Sequence, residues 1–247
     1  MTWPAGVGRM ELVETDSTSL EARRRAEAGA TGPVWILARR QTAARGRRGR
    51  AWVAPEGNFA ATLLMQVPEG PEAAAERSFV AALALRDALI AAGLAPDRLA
   101  LKWPNDVLLD GGKVAGILLE TVPTTPLALL IGIGVNLAHC PDAEAVEQGA
   151  VTPVAAGSIP PETLLDHLGP AFAGWEARRR NDGFASIRRA WLEGAARLGE
   201  PITARLPDRT LEGVFEGIDP SGALLLATPT GRQTLPAAEV HFPAEAL

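Results

Sequence analysis

The sequence has 247 residues, of which 47% are hydrophobic and 21% charged, and its formal net charge is −5. This composition is typical of a soluble globular protein, and the length suits one large domain or one domain with a small appendage. The single cysteine, Cys140, excludes an internal disulfide framework and favours a reducing compartment. The N-terminal residues lack the apolar core of a secretory signal, and no apolar run reaches the roughly 20 residues of a membrane span, so a cytoplasmic location is expected.

The first hundred residues alternate between strand and helix patterns. Strands are predicted at RMELVETD, GPVWILARR and NFAATLLMQV, and a helix is predicted at STSLEARRRAEAGA. Thr18 and Glu21 form a capping-box pattern at the start of this helix, and Gly29 is its expected stop. The clearest helix of the chain begins at Pro71 and ends at Gly93, because apolar residues recur at helical spacing between them.

The rest of the chain predicts more strands, then two helices, then a change of character. LALKW and PLALLIGIGVNLA read as strands, and DVLLDGGKVAGILLET reads as a hairpin whose turn, Asp110-Gly111-Gly112, supplies positive φ angles. Two helices are expected between about 160 and 198, the first kinked or split at Gly169-Pro170. After Gly199, short runs separated by Pro, Asp and Gly turns predict a small all-β barrel. The predicted domains are therefore 1–198 and 199–247.

Positive charge is concentrated in one glycine-rich loop, QTAARGRRGRAW. Six arginines lie between Arg39 and Arg50, in a chain that is acidic overall. Guanidinium groups match phosphate oxygens in a bidentate fork, and the glycines let backbone N–H groups approach a ligand. The loop predicts an anion site, with a solvated basic loop as the alternative. Trp52 follows directly, either as a packed aromatic or as a face on which a base stacks.

Lys102 and Lys113 are the two lysines of the chain, and the other 22 basic residues are arginines. A position that keeps lysine in such a chain needs something that arginine does not supply. The lysine ammonium is a compact point charge that can sit between oxygens of two different groups. Such a charge suits a carboxylate that attacks a phosphoryl group, because both are anions that must be brought together. This argument favours a catalytic position for Lys113 but gives no role to Lys102.

Other polar residues at strand ends are weaker candidates. Asn105 and Asp106 follow Pro104, where they are either ordinary turn residues or ligands, and Asp106 is of the type that can hold a hydrated Mg²⁺. GIGVNLA ends a strand with glycines that allow close approach of a ligand and with the amide of Asn136. The histidines show no metal-binding spacing. His139 and Cys140 are adjacent, so on a strand they would point apart and would not form a nucleophile–base pair.

Taken together, these motifs resemble those of the biotin protein ligases. ETDSTS, QTAARGRRGRAW, KWPNDVLL, GKVAGILLE, GIGVNLA and GIDPSGALLL are similar to family motifs and occur in the family order, from about residue 10 to 243. The resemblance implies a mixed, largely antiparallel sheet with flanking helices, of the class II aminoacyl-tRNA synthetase type, followed by an SH3-like barrel. It implies that biotin reacts with MgATP to give biotinyl-5′-AMP, and that a lysine of a biotin carboxyl carrier protein then takes the biotinyl group.

The resemblance also implies roles for individual residues. The expected biotin contacts are Ser17, Thr18, Ser19, Gln41, Arg45, Lys113 and Gly116. The expected ATP and adenylate contacts are Arg47, Arg50, Trp52, Asn105, Lys113 and Asn136. Lys113, Arg47 and Asp106 are the expected catalytic residues, and Asp106 is the one candidate for Mg²⁺. Ser19 and Ala44 depart from the family, which often has Asn and Gly there.

Several alternatives remain open at this point. A lipoate ligase has a related fold and similar adenylation chemistry, and a nucleic-acid-binding protein could use the Arg/Gly loop. Some family members carry an N-terminal helix-turn-helix; only about nine residues precede the first strand here, so no sequence-specific DNA binding is expected. No membrane partner is expected either. The state of assembly is expected to be a monomer or a homodimer.

Overall fold

The computed structural model describes residues 2–46, 49, 52, 55–142 and 151–242. Within these ranges the chain forms two sheets and four α-helices. The strands are β1 (Gly8–Thr15), β2 (Val34–Gln41), β3 (Phe59–Val67), β4 (Leu99–Lys102), β5 (Asp106–Leu109), β6 (Gly112–Val122), β7 (Leu127–Val135), β8 (Pro201–Arg205), β9 (Thr210–Ile218), β10 (Leu224–Thr228), β11 (Gly231–Leu235) and β12 (Glu239–His241). The helices are α1 (Thr18–Glu27), α2 (Pro71–Ala91), α3 (Pro161–Asp182) and α4 (Phe184–Glu193). None of these helices combines the length and apolar character that crossing a bilayer requires.

The larger sheet has seven strands in the order β1-β2-β3-β7-β6-β5-β4. β1 and β2 run parallel, which requires a crossover, and α1 supplies it. All other neighbouring pairs in this sheet are antiparallel. Because successive strand residues point to opposite faces, the sheet has two separate apolar faces to bury.

Helices cover the two faces unequally. α1 packs on one face over a small apolar cluster that includes Ala22, Ile36 and Leu130. α2 and α3 belong to the large core that covers the other face. As predicted, α2 begins at Pro71, and Gly93 follows its end with a φ of +109° that suits glycine. α1 covers only part of its face of the large sheet, and the rest of that face is open.

The capping-box prediction for α1 was wrong. Ser17 is the N-cap residue, and its side chain makes no capping hydrogen bond. The Thr18 hydroxyl instead donates to Gln41, and the Glu21 carboxylate pairs with Arg24 at 2.8 Å and with Arg25. Tertiary partners therefore take the groups that a capping box would use. The predicted stop is confirmed, because Gly29 follows the helix at a φ of +91°.

The split considered at Gly169-Pro170 was wrong, because α3 is one continuous helix of 22 residues, and the alternative, a kink there, stays a prediction. Pro170 costs the helix one backbone hydrogen bond. Leu164 and Leu168 before it and Phe172 after it are nevertheless buried in the same core. Gly169 contributes too, because a Cβ there would lie 2.6 Å from the Trp3 ring. Burial of apolar residues on both sides thus overrides the local preference.

The β5–β6 hairpin contains a bulge that the sequence did not indicate. Asp110 and Gly111 take positive φ values of 50° and 77°, whereas Gly112 already belongs to β6. The predicted three-residue turn is therefore a two-residue turn. The register then shifts, so that Leu108 opposes Lys113 while Val107 opposes Ala115. Val114 is the extra residue of this bulge.

The smaller sheet is antiparallel, with the strand order β11-β10-β9-β8-β12, and it packs onto the large core. Its turn residue Gly222 accepts a hydrogen bond from Trp103 Nε1 at 2.9 Å. A Cβ on Gly222 would lie 2.7 Å from the Phe79 ring of α2. The expected boundary at residue 199 falls between α4 and β8. Although the five strands of the small sheet are consecutive in the sequence, their buried side chains belong to the same apolar core as those of the large sheet.

Candidate active site

A cavity of about 570 Å³ lies on the uncovered part of the large sheet, beside α1. Its volume is within the range of small-molecule sites, roughly 300–1,000 Å³. The candidate residues that line it are Ser17, Thr18, Ser19, Gln41, Arg45, Trp52, Asn105, Asp106, Lys113, Gly116 and Asn136. Thus the described residues that were expected to bind biotin or nucleotide, or to act in catalysis, all line one cavity. Arg47 and Arg50 fall outside the described residues.

One end of the cavity is lined by hydroxyl and amide groups of α1 and β2, which are hydrogen-bonded to a further hydroxyl of β3. Gln41 Oε1 accepts hydrogen bonds from the Thr18 backbone N–H at 2.7 Å and from the Thr18 hydroxyl at 3.1 Å. Thr62 Oγ1 lies 2.9 Å from Thr18 Oγ1 and 3.2 Å from Ser19 Oγ. A Cβ on Gly132 would lie 2.8 Å from Ser19 Oγ, so this glycine leaves room for the hydroxyl. Thr62 is a member of this network that sequence reasoning missed.

The turn that presents these hydroxyls is held by Asp16. Its carboxylate accepts a hydrogen bond from the Ser17 backbone N–H at 2.7 Å and pairs with Arg24 at 2.9 Å. The hydrogen bond from Arg24 holds the pKa of Asp16 well below its usual range. Asp16 is thereby kept ionised near the helix N-terminus, where a negative charge is favourable.

Four residues form a row across neighbouring strands at the centre of the cavity. Lys102 of β4 opposes Asp106 of β5, Asp106 opposes Gly116 of β6, and Gly116 opposes Gly134 of β7. Directly opposed residues share one face of a sheet. The pairing therefore places Lys102 and Asp106 next to each other beside two positions that have no side chain.

The bulge brings Lys113 to the same face. In a regular strand, residues three apart point to opposite faces. The extra residue Val114 reverses this, and Lys113 Nζ lies 3.6 Å from the position of a Cβ on Gly116. Backbone bonds to Thr152 at 2.8 Å and from Val154 at 3.0 Å hold Lys113 in place.

Asp106 stands between two ammonium groups. Its Oδ1 lies 2.7 Å from Lys113 Nζ, and its Oδ2 lies 3.4 Å from Lys102 Nζ. Burial acts to raise the pKa of this carboxyl, but the charges of Lys113 and then Lys102 outweigh it and hold the pKa below its usual value. Asp106 is therefore an ionised carboxylate inside the cavity wall.

These surroundings do not fit a metal ligand at Asp106. Both of its oxygens face cations, and no group of three His, Cys, Asp or Glu side chains that could hold a metal occurs among the described residues. A protein site for Mg²⁺ usually offers one or two carboxylates that are free to take the ion. The metal role expected for Asp106 thus gains no support from the geometry.

Trp52 lies over the glycines of the central row. A Cβ on Gly134 would stand 2.5 Å from Trp52 Nε1, and a Cβ on Gly116 would stand 3.4 Å from the indole ring. The Lys113 ammonium is 5.9 Å from the ring centroid, within cation–π distance. The glycines were expected to let a ligand approach the backbone closely. In this structure the Trp52 side chain makes that close approach.

Two residues that line the cavity have a buried polar atom with no partner within the described part of the chain. These atoms are Trp52 Nε1, a donor, and Asn136 Oδ1, an acceptor. Buried polar groups are normally hydrogen-bonded, so such atoms beside a cavity suit a polar ligand. The amide of Asn136 is placed by its backbone, which donates to Val114 O at 2.8 Å.

Some residues line the cavity although no sequence motif included them, and some candidate residues lie elsewhere than expected. Glu239, Val240 and His241 bring the small sheet to the cavity wall, and no local signal pointed to them. Arg39 and Arg40 belong to β2, where they pair with Glu162 and Glu14, and they do not line the cavity. His139 and Cys140 follow the end of β7 rather than lying on a strand. The Cys140 thiol is exposed, and its neighbour Pro141 lines the cavity.

Solved structures share this fold. A biotin protein ligase from Aquifex aeolicus, solved with biotin and ATP, superposes with a TM-score of 0.78 at 24% identity and covers 94% of this chain and 97% of that one. A biotin protein ligase from Leishmania major gives a TM-score of 0.66. At these identities the comparison establishes the fold, and it confirms the predicted mixed sheet with a small C-terminal β domain.

Sequence comparison shows the family to which the chain belongs. The model of the biotin/lipoate A/B protein ligase family matches residues 11–136, and that of the biotin protein ligase C terminal domain matches 198–242. The chain belongs to the biotin/lipoate A/B protein ligase family. It is 58% identical to the biotin–[acetyl-CoA-carboxylase] ligase of Paracoccus denitrificans, over 94% of this chain and 99% of that protein. It is 33% identical to the bifunctional ligase/repressor BirA of Escherichia coli, over 77% of this chain and 60% of that one.

Proposed function

We propose that the chain is a biotin protein ligase that attaches biotin to the carrier protein of acetyl-CoA carboxylase in two steps. In the first step a biotin carboxylate oxygen attacks the α-phosphorus of ATP, a P–O bond breaks, and pyrophosphate leaves. In the second, an unprotonated lysine amine of the carrier attacks the acyl carbon of biotinyl-5′-AMP. An amide forms, AMP leaves, and the amine loses a proton.

The hydroxyl end of the cavity suits biotin. The Thr18, Ser19 and Thr62 hydroxyls and the Gln41 amide converge there over a sheet face that glycine keeps open. A ring that carries a urea group needs donors and acceptors of this kind, and buried polar groups of a site reject ligands that leave them unpaired. Arg45 and Gly46 line the same cavity and would close over the ligand.

The observation that carries the proposal is the position of Lys113. Its ammonium lines the cavity from β6, 2.7 Å from Asp106 Oδ1 and 5.9 Å from the centre of the Trp52 ring. There it would neutralise both the carboxylate and the α-phosphate and bring the two anions together. Preorganised charge of this kind is usually the largest contribution to catalysis.

The other end suits the nucleotide. Trp52 would provide a stacking face, and Asn105 and Asn136 would supply amide contacts. Mg²⁺ would enter as part of MgATP, bound to the phosphates. Arg47 and Arg50, which lie outside the described residues, are proposed to hold the phosphate, as the sequence predicts. A cytoplasmic location, and a monomeric or homodimeric state, complete the proposal.

Biotin-dependent ATP–pyrophosphate exchange tests the first step. The purified chain is incubated with MgATP and labelled pyrophosphate, with biotin in one sample and lipoate in another. Exchange that requires biotin and is not supported by lipoate is expected. Exchange with lipoate alone would assign the chain to the lipoate branch of the family, and no exchange with either acid would refute the adenylation step.

Transfer is tested separately with the carrier. Biotinylation of the carrier domain of acetyl-CoA carboxylase is followed by the mass of the intact domain, with a variant whose acceptor lysine is arginine as the matched control. One biotinyl addition on the natural domain and none on the control is expected. Equal labelling of both would contradict specific transfer.

A further inference from the structure

Lys102 has no part in the reaction as proposed above, although it lines the same cavity. It ends β4, and it is 8% exposed. A long charged side chain is rarely so buried unless it has a partner or a task. Lys102 Nζ lies 3.4 Å from Asp106 Oδ2, and the Phe242 ring lies 5.8 Å from the same ammonium. Phe242 directly follows β12, so the small sheet reaches this lysine.

The two lysines that share Asp106 differ in their access to ligand. The Lys113 side chain is 31% exposed and that of Lys102 is 9% exposed. Lys113 can therefore extend into the cavity, whereas Lys102 is enclosed between β5 and the small sheet. When Lys113 moves toward the two substrate anions, the buried Asp106 carboxylate loses the closer of its two cations. A buried carboxylate left without a cation is costly, which would oppose that movement.

We propose that Lys102 is a positioning residue for Lys113 and acts through Asp106. By holding Oδ2, it keeps the Asp106 carboxylate fixed and neutralised while Lys113 changes partner from Oδ1 to the substrate. This inference rests on the proposed function, since it presumes that Lys113 serves adenylate formation. It also explains why a chain that otherwise uses arginine keeps lysine at position 102. The enclosed place beside Asp106 and Phe242 accepts a compact ammonium.

A double-mutant cycle distinguishes this role from a merely structural one. Lys102→Met removes the ammonium and keeps the stem, and Asp106→Asn removes the carboxylate. Because Lys102 acts through Asp106, we expect Lys102→Met to lower kcat of biotin-dependent exchange at least tenfold, with KM for biotin and ATP within about threefold. In the Asp106→Asn background the same change is expected to alter kcat less than twofold, because the two effects are not independent.

The control is an ion pair on the same hairpin but outside the cavity. Arg98 and the Asp110 carboxylate pair in the open, with Arg98 just before β4 and Asp110 in the β5–β6 turn. Arg98→Met removes a cation of similar length, and its kcat is expected to match that of the unaltered chain. If Lys102→Met does not purify in folded form, Lys102→Arg replaces it in the cycle. The bulkier guanidinium shifts the same carboxylate, so the same non-additivity is expected.

Each outcome decides the proposal. A kcat for Lys102→Met within twofold of the unaltered chain would overturn it. So would an equal loss in both backgrounds, because Lys102 would then act independently of Asp106. If the unaltered chain shows no biotin-dependent exchange, both this inference and the proposed function fail. If exchange is present and the cycle is additive, only the inference fails.

Discussion

Lys113 owes its position to a bulge in its own strand and to a carboxylate on the neighbouring strand. The bulge at Val114 turns its side chain to the cavity, and Asp106 Oδ1 holds its ammonium at 2.7 Å. Lys113→Ala should lower the rate of biotin-dependent pyrophosphate exchange by roughly 100-fold or more, the effect of losing a preorganised charge.

Lys113→Arg is the informative companion to Lys113→Ala. It keeps the charge but spreads it over a fork that does not fit between Asp106 and two substrate anions, so a large loss is again expected. Circular dichroism of both variants checks that the fold is retained. An exchange rate for Lys113→Ala within threefold of the unaltered chain would refute the catalytic role of this lysine.

Gly134 offers a test of the nucleotide end. In Gly134→Ala the new methyl would stand 2.5 Å from Trp52 Nε1, so the indole must move off the sheet. We expect KM for ATP to rise about tenfold, roughly 1.4 kcal/mol of lost binding, with KM for biotin little changed. Gly174→Ala in α3 is the control, because nothing lies within 4 Å of a Cβ there. Equal KM values for ATP in the two variants would refute the placement of Trp52 at the nucleotide.

Residue identities predicted much of the site, but not how its members contact one another. The scarcity of lysine singled out Lys113, and the motifs named ten further residues that line the cavity, but not those that the small sheet contributes. Nothing local could show that Lys102 and Asp106 oppose each other, because that follows from strand register. Thr62 was missed for a similar reason, since a threonine in an apolar strand pattern gives no sign of the helix that will pack above it.

An ion network with two buried arginines joins α3 to α2 and to Glu69, just before α2. Arg77, which is 2% exposed, lies 2.9 Å from Glu176, and Arg179 lies 2.8 Å from Glu69 and from Glu76. Burial acts against ionisation of Glu69, but its backbone hydrogen bond and the hydrogen bonds from Arg77 and Arg179 lower its pKa to about 2. The network thus fixes how the two helices lie against each other.

Acid should weaken this helix pair. The pKa of Glu69 is lower in the folded chain than in the unfolded one, so its contribution to stability is present above about pH 4.5 and is lost as pH falls toward 2. Glu69→Gln should therefore lower Tm at pH 7 and lose less Tm than the unaltered chain between pH 5 and pH 2.5. Glu72→Gln, at an exposed position of α2, is the control. An unchanged acid dependence in Glu69→Gln would contradict the assignment.

At the scale of elements, the positions of glycine and proline correctly predicted where α2 begins and where α1 and α2 end. Pro71 and Gly93 bracket α2 because they satisfy local requirements of a helix start and stop. The errors came where distant contacts decide. Pro170 stays inside α3 because apolar residues on both sides reach one core, and Thr18 gives its hydroxyl to Gln41 rather than to its own helix.

The two sheets share one interior, and Gly222 lies at their junction. Its φ is +86°, and a Cβ there would stand 2.7 Å from Phe79. Gly222→Ala combines backbone strain with a clash and should lower the free energy of unfolding by about 2–4 kcal/mol. Gly231→Ala is the matched control, because its φ is +115° but its Cβ would have open space. The difference in denaturation midpoint between the variants measures the clash alone, and no difference would contradict close packing at this junction.

The whole-molecule arrangement was the least predictable from sequence. The composition change near residue 199 predicted a separate β unit, and the strands confirm its β character. That β12 would line the cavity of the larger sheet could not be read from any local pattern, because it depends on how the two sheets dock. Trp103 and Gly222, joined by a hydrogen bond, are 119 positions apart.

Cys140 gives this arrangement a practical use. Because it is the single thiol of the sequence and is exposed, a maleimide dye would attach at one position and leave the buried core untouched. Its neighbour Pro141 borders the cavity. The chain therefore carries a natural labelling point at the rim of its own pocket, from which fluorescence could report ligand arrival without any engineered residue.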